Sequence, residues 1–390
     1  MRKVFTCLWK ISRRELRTFV KNPLFFFTMV LAPLLFLLLF TSMMSSGLPT
    51  KLPAGIVDED NTSITRAMVR TLGSMQETDL RHYENFTRAR EAMQRGEIYA
   101  FFFIPEGLTT DAITGRQPKV SFFTNDCYYV PASLLMKDMR KMSEMMGLAI
   151  TRATMQAKGV PEHAVMGVLQ PIVVESHPLG NPRLNYSIVL SNMLVPGILL
   201  LVIMLSTCYS LGNEWKRGRQ RVLLQRAAGN VWVAVIGKLL PQTILYTLLF
   251  WIVDAIFYIY LGFPCHCGLG VMMALAVLAV LAAQSFGIVM YEFFPGQMRF
   301  SMSACSLLGV MSFSLSGFSY PVNAMYMPFQ LMANIFPLRH YFVIYVNQAL
   351  NGYPISYVWW HIAALVGFMV LPLFMGRRLH NAFLYTEYIP

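Results

Sequence analysis

Residues 213–241 read NEWKRGRQRVLLQRAAGNVWVAVIGKLLP, and the fold turns on how this stretch is taken. It carries six bases, Lys216, Arg217, Arg219, Arg221, Arg226 and Lys238, against a single acid, Glu214. Long apolar runs flank it on both sides. A short loop this basic between two hydrophobic spans is placed on the cytoplasmic face, because the Lys and Arg bias of short loops sets the orientation of a membrane chain. Trp215, Val222, Leu223, Leu224 and then Val231–Ile236 also give it an apolar face, the composition of a helix lying on a membrane surface or docking on a partner. From these residues alone, a solvated loop that only sets topology stays open beside that reading.

Of the 390 residues, 55% are hydrophobic and 13% charged, and the mean hydropathy is +0.48. Those proportions describe a polytopic membrane protein better than a soluble domain. The formal net charge of +12 is concentrated in Met1–Lys21, in the basic loop and at Arg377 and Arg378. Because these clusters flank apolar spans and form no single polar surface, no nucleic-acid partner is expected. Six Cys are scattered without a CxxC pair, and Cys265-His266-Cys267 in a short turn offers too few ligands for a tetrahedral metal site.

Outward from the loop, Val4–Val20 place Val4, Phe5, Leu8, Trp9, Leu16, Phe19 and Val20 roughly on one face and Arg13, Arg14, Arg17 and Lys21 elsewhere. Residues 1–23 are therefore expected to form a cytoplasmic amphipathic helix. Residues 24–44 are long and apolar enough for a first span, with a break near Pro33. The long basic lead and the absence of an A-x-A site argue against a cleaved signal peptide. Residues 45–185 hold charges of both signs and no spanning run, and predict a mixed α/β extracytoplasmic domain. Within it strands are expected over Ala54–Val57, Tyr99–Ile104 and Lys119–Thr124. Helices are expected over Ser63–Leu72, capped by Thr62, over Arg88–Arg95, and over the Met-rich Pro131–Lys158. In the last, Leu134, Leu135, Met139, Met142, Met146 and Ile150 recur at helical spacing as a core seam. A helix-capping turn explains Asp58, Glu59 and Asp60 more simply than a cation site. Cys127 is expected to face an oxidising compartment.

Further spans are read at Tyr186–Leu211, Leu239–Leu261, Leu269–Met290, Met298–Phe318 and Tyr357–Met375, with residues 210–238 as a cytoplasmic loop. Residues 319–352, broken by Pro321, Pro328 and Pro337, suit a re-entrant hairpin on the outer face, and Arg377 and Arg378 keep the tail 377–390 inside. The class expected is an α-helical polytopic membrane protein of six transmembrane helices, with the α/β domain inserted between the first two. On the fifth span Ser301, Cys305, Gly309, Ser312 and Ser316 make one stripe of small residues. Such a stripe lets another helix approach closely, whether inside the chain, at a dimer seam or along a translocation path.

The order of Glu214, Lys216 and Arg217, Gly218, the pair Leu223 and Leu224, then Gly237-Lys238-Leu239-Leu240-Pro241 resembles the first cytoplasmic loop of ABC-2-type permeases, the membrane subunits of ATP-binding-cassette (type V fold) exporters. Arg219 and Arg221 stand where Thr and Glu are common in that family. The large domain is similar too, in its opening strand ending at Val57-Asp58 and in Ile104-Pro105, as are Asn181-Pro182, Pro196-Gly197, and the run SGFSYP (316–321) with Met327-Pro328, Pro337-Leu338-Arg339-His340-Tyr341 and Asn351-Gly352. The resemblance implies a homodimer or closely related heterodimer in the cytoplasmic (inner) membrane, with both termini cytoplasmic. It also implies a separate ATPase subunit that binds ATP and Mg, and it leaves room for a periplasmic membrane-fusion adaptor. Glu214, Trp215, Arg217, Gly218, Arg221 and Leu224 are then the residues expected to couple to the ATPase.

The chain itself shows no GxxxxGK[ST], no HExxH and no GxSxG, and the spacing from Gly229 to Gly237-Lys238 does not make a phosphate loop. No cofactor of its own is expected, and the chain is read as a transporter subunit, not an enzyme. Two alternatives stand beside the exporter. One is an intramembrane serine hydrolase using Ser319 with His340 or His361. The other is a proton-coupled carrier using Asp254, an acid inside the third span, where ionisable groups are costly and tend to be functional. A pocket between spans two and five would be lined by apolar and small residues, which suits lipidic, amphipathic or drug-like cargo.

Overall fold

The computed structural model describes residues 2–45, 47–114, 116–157, 159, 177, 179–182 and 185–389. The chain divides into two compact units, Met1–Ser45 with Pro178–Pro390, and Ser46–His177.

In the second unit β1 (Leu52–Asp58) pairs in parallel with β2 (Thr78–His82) and with β3 (Ala100–Ile104), and β3 pairs antiparallel with β4 (Ser121–Thr124). The strand order is β2-β1-β3-β4. Alternation along the strands splits the side chains. Ala54, Ile56, Phe102 and Ile104 pack with Met68 and Leu72 of α4 (Ser63–Gly73) and with Leu134, Leu135, Met139 and Met142 of α7 (Tyr129–Ala157). Val57 and Phe101 turn the other way, onto Ala89 and Ala92 of α5 (Phe86–Gln94). Thr62 caps α4 by accepting from the Thr65 amide at 3.3 Å. Asp60 caps at a distance: its carboxylate accepts from the Gly107 amide at 2.8 Å and the Thr109 hydroxyl at 2.6 Å, at the start of α6 (Leu108–Ile113). Among the described residues no group of acids, His and Cys could hold a metal. Lys158, the expected end of the Met-rich helix, and residues 160–176 of the expected domain lie outside the described residues.

The first unit is helical. α1 (Arg2–Lys21) is followed by α2 (Pro23–Phe26), a π turn over Phe27–Leu31 and α3 (Ala32–Met43). The widened turn falls just before Pro33, which has no N–H to continue a regular ladder. Then come α8 (Tyr186–Lys216), α9 (Gln220–Arg226), α10 (Val231–Ala255, continued by a π turn to Tyr260), α11 (Leu269–Phe293) and α12 (Met298–Leu315). Two short helices, α13 (Met327–Ala333) and α14 (Pro337–Tyr345), precede α15 (Trp359–Tyr385). By length and composition five helices are able to cross a membrane: α8, α10 with its π turn, α11, α12 and α15; Phe27–Met43 is a shorter apolar helix. The chain is thus mostly helical with several candidate spans. α11 lies at the centre, packed on α8 and α15. Its Ala276, Ala279, Ala282, Ala283 and Gly287 keep it slim, and a Cβ added at Gly287 would come 2.9 Å from the Met204 carbonyl oxygen.

The last helix continues to Tyr385, into the expected tail 377–390, and both boundaries of the basic stretch differ from those the sequence suggests. α8 runs five residues past Leu211, because nothing breaks it before Gly218, which takes φ +62° and closes the helix with its amide on the Trp215 carbonyl. α10 begins at Val231, not Leu239, with Asn230 capping the Trp232 and Val233 amides. Only residues 217–219 and 227–230 of the basic stretch are non-helical.

Candidate functional site

The extended ends of α8 and α10 bring the basic stretch against α1. Along α1, Ile11, Ser12, Glu15 and Phe19 are buried at helical spacing. Gly237 makes the seat: an added Cβ there would lie 3.2 Å from the Ile11 Cβ, and the Ser12 hydroxyl donates to the Gly237 carbonyl at 2.8 Å. The apolar face drawn from the sequence is therefore divided. Phe19 is buried, whereas Phe5, Trp9, Leu16 and Val20 stay exposed.

One turn beyond this seat, four charges from three helices meet. Lys238 Nζ donates to Glu15 Oε1 at 2.6 Å and to Glu214 Oε1 at 2.8 Å. Arg14 Nη2 reaches Glu214 Oε1 at 2.6 Å and Glu15 Oε2 at 3.3 Å. The Lys238 side chain is 1% exposed, those of Glu15 and Glu214 are 3% and 10%, and only Arg14, at 22%, keeps contact with solvent. Two acids face two bases, so the cluster is neutral overall, as buried charge has to be. Glu214 Oε2 has no partner among the described residues. Glu214 thus pairs with Arg14 and Lys238, not with its neighbours Lys216 and Arg217.

The remaining residues of the stretch divide by face. Trp215 is buried, with ring centroids 5.1 Å from Tyr291 and 4.6 Å from Phe383, and Leu224 is buried on α9. Arg217 and Gly218 are exposed in the turn, and Arg221, also exposed, donates from Nε to the Leu384 carbonyl at 3.0 Å. Lys216, Arg217, Arg219, Arg221 and Arg226 thus form an exposed basic surface over a buried apolar and ionic underside.

The stripe on α12 is packed within the chain, against α8. Ser301, Cys305, Gly309, Ser312 and Ser316 are all buried, Cys305 Sγ lies 3.4 Å from Cys208 Sγ, and an added Cβ at Gly309 would overlap Leu201. Asp254 is buried on α10 with Oδ2 unpartnered among the described residues, and the Tyr258 hydroxyl donates to Asn192 at 3.2 Å. The hydrolase pairing is not assembled. Ser319 is exposed and bonds neither imidazole, while His340 and His361 bond each other, Nδ1 to Nδ1, at 2.8 Å. Cys265 and Cys267 are free, partly buried thiols, and burial pushes Cys265 up to about 12. Sequence reasoning missed Glu15, Arg14 and the pairing of Lys238. It also missed Glu292, a buried carboxyl on α11 with both oxygens unpartnered among the described residues, beside the Tyr291 that packs on Trp215.

No curated protein matches the chain. Residues 23–377 match the profile of the family described as ABC-2 family transporter protein, a match that covers both Glu214 and Lys238 and leaves α1 outside. With this match running over most of its length, and with five helices long and apolar enough to cross a membrane, the chain belongs to the ABC-2 family of transporter proteins and is an integral membrane permease component of an ABC transporter, a role that implies an ATP-binding partner subunit.

Proposed function

We propose that this permease moves its cargo outward across the cytoplasmic membrane, and that motion of the ATPase partner enters through the exposed basic surface of residues 216–226. The observation that carries this reading is the buried cluster Arg14–Glu15–Glu214–Lys238 directly beneath that surface. A push on α9 would reach the end of α8 at Glu214 and Trp215. Glu214 is hydrogen-bonded to α10 through Lys238 and to α1 through Arg14, so the three helices shift together or break charge-assisted bonds in a low dielectric. In this reading Pro23–Met43 is the first of six crossings. The termini and the basic stretch are cytoplasmic, residues 46–177 lie outside, and two such chains, identical or related, share a path for lipidic, amphipathic or drug-like cargo.

The test is the complex of permease and ATPase in liposomes. Glu214→Gln keeps the shape of the side chain and removes its charge. Hydrolysis that no longer responds to cargo, with assembly of the complex retained, supports the coupling role. Parent-like stimulation and transport would reject it, and Arg217 and Arg221 on the exposed face would be the next residues to vary.

A further inference from the structure

Two cavities meet at Trp232 on the flank built by α10, α11 and α15. The first, of about 580 Å³, is lined by Gly229 and Asn230 at the start of α10 and by Arg377, His380 and Asn381 of α15. The second, of about 320 Å³, continues along Ile236, Leu240 and Thr243 of α10, Gln284 of α11 and Met369 of α15. Trp232 and Leu373 line both, so a polar mouth runs on into an apolar groove. The junction is built for the indole: a Cβ added at Gly376 would lie 2.6 Å from the Trp232 ring.

The chemistry changes in order along this path. At the mouth Arg377 is exposed and has no ion-pair partner among the described residues, no acid lines the cavity, and the start of α10 adds its positive dipole end. At the junction sits a Trp, the side chain that favours the boundary between headgroups and hydrocarbon. Deeper in, Ile236, Leu240 and Leu373 are exposed and would face acyl chains. Along the groove wall the Thr243 hydroxyl donates to Gln284 Oε1 at 2.8 Å, so the polar side chains there are turned to one another and the lining left open is apolar.

The geometry points to an anionic phospholipid of the surrounding bilayer as the occupant, its phosphate at Arg377 and His380 and one acyl chain in the groove beneath Trp232. Basic pockets between membrane helices recognise phosphate headgroups in this way. The inference needs only that α10 and α15 cross the bilayer. It does not depend on the direction of transport or on the coupling role of Glu214.

The experiment uses the full chain reconstituted with equal amounts of phosphatidylglycerol and phosphatidylcholine, re-extracted in mild detergent and examined by native mass spectrometry. The parent should retain phosphatidylglycerol preferentially, and Arg377→Gln with His380→Gln should lower that preference by about fivefold, the effect of the one charge removed with Arg377. Gly376→Val, which drives Trp232 from the junction, should lower retention of both lipids without abolishing folding, as judged by gel filtration. Excess inorganic phosphate should leave the retained lipid in place. Equal retention of the two lipids by the parent, or an unchanged preference in the double variant, overturns the assignment. Displacement by inorganic phosphate would make the mouth a free-anion site and overturns it too. So does a double variant that keeps its lipid but loses its ATPase partner, which would make the mouth a protein-docking surface.

Discussion

Glu214→Ala tests whether the four-charge cluster holds α1, α8 and α10 together. The substitution removes the acceptor of the 2.6 Å bond from Arg14 and of the 2.8 Å bond from Lys238, leaving both bases on Glu15 alone. The cluster then changes from neutral to one net positive charge beside a Lys238 that is 1% exposed. Breaking a buried pair by deleting one partner costs about 3–5 kcal/mol. Because Lys238 keeps its 2.6 Å bond to Glu15 and Arg14 is partly wetted, the low end, about 3 kcal/mol, is expected here. A solvated surface acid would cost under about 1 kcal/mol. Denaturant unfolding of the purified chain in micelles measures the loss. The decisive comparison is the double variant Glu214→Gln with Lys238→Met, which restores neutrality and leaves Arg14 with Glu15. If ion pairing is the cause, the double variant should lose less than the sum of its singles by about 1–3 kcal/mol. Additive losses, or a Glu214→Ala loss below about 0.5 kcal/mol, would show that the cluster does not carry the contact between these helices.

Three other outcomes follow from the same packing. Since Cys305 lies 3.4 Å from Cys208 within one chain, mild oxidation of the parent should leave a single-chain band on a non-reducing gel, and a dimer band that disappears in Cys305→Ser would place the stripe at a subunit seam. Gly309→Leu should destabilise the chain by about 1–3 kcal/mol through overpacking against Leu201, measured by the same unfolding titration, with parent-like stability counting against internal packing. Cys127 is exposed, so a membrane-impermeant maleimide should label it in intact cells and fail with Cys127→Ser; labelling only after permeabilisation would put residues 46–177 inside. In that unit the Thr109 hydroxyl, aided by the Thr109 and Gly107 amides and the Thr62 hydroxyl against the opposing effect of burial, holds the Asp60 carboxyl below its ordinary value. A carboxyl depressed in the folded state adds stability above its unfolded value, about 3.9, and loses it as pH falls through the folded one. Acid unfolding followed by near-UV circular dichroism should therefore be steeper below about pH 4 in the parent than in Asp60→Asn.

The five long apolar helices, the capping role of Thr62 and the seam on α7 are legible in the sequence because each rests on local spacing. β2 was not: Thr78–His82 carries Asp79, Arg81 and His82, and it lies at the edge of the sheet, where no alternation is demanded. Nor could the amphipathic pattern of α1 say which flank would be buried, since Leu8 and Ile11 meet α10 only because Gly237 leaves room, more than two hundred residues away. The ionic cluster was closer to the surface of the sequence than it looked. Glu15 is the only acid in Met1–Lys21, and Glu214 is the only acid in its basic stretch. The obstacle was ending one helix at Leu211 and starting the next at Leu239. Carried on at helical spacing, the buried face Thr207, Cys208, Leu211 continues to Glu214 and Trp215; carried back from Gln242, the buried face of α10 runs through Lys238, Val235, Ala234 and Val231. An acid and a base that both fall on buried faces, on helices joined by a short connection, have to find partners, because an unpaired charge there costs more than the fold can spare. The pairing of Glu214 with Lys238 is therefore a consequence of where two helices end.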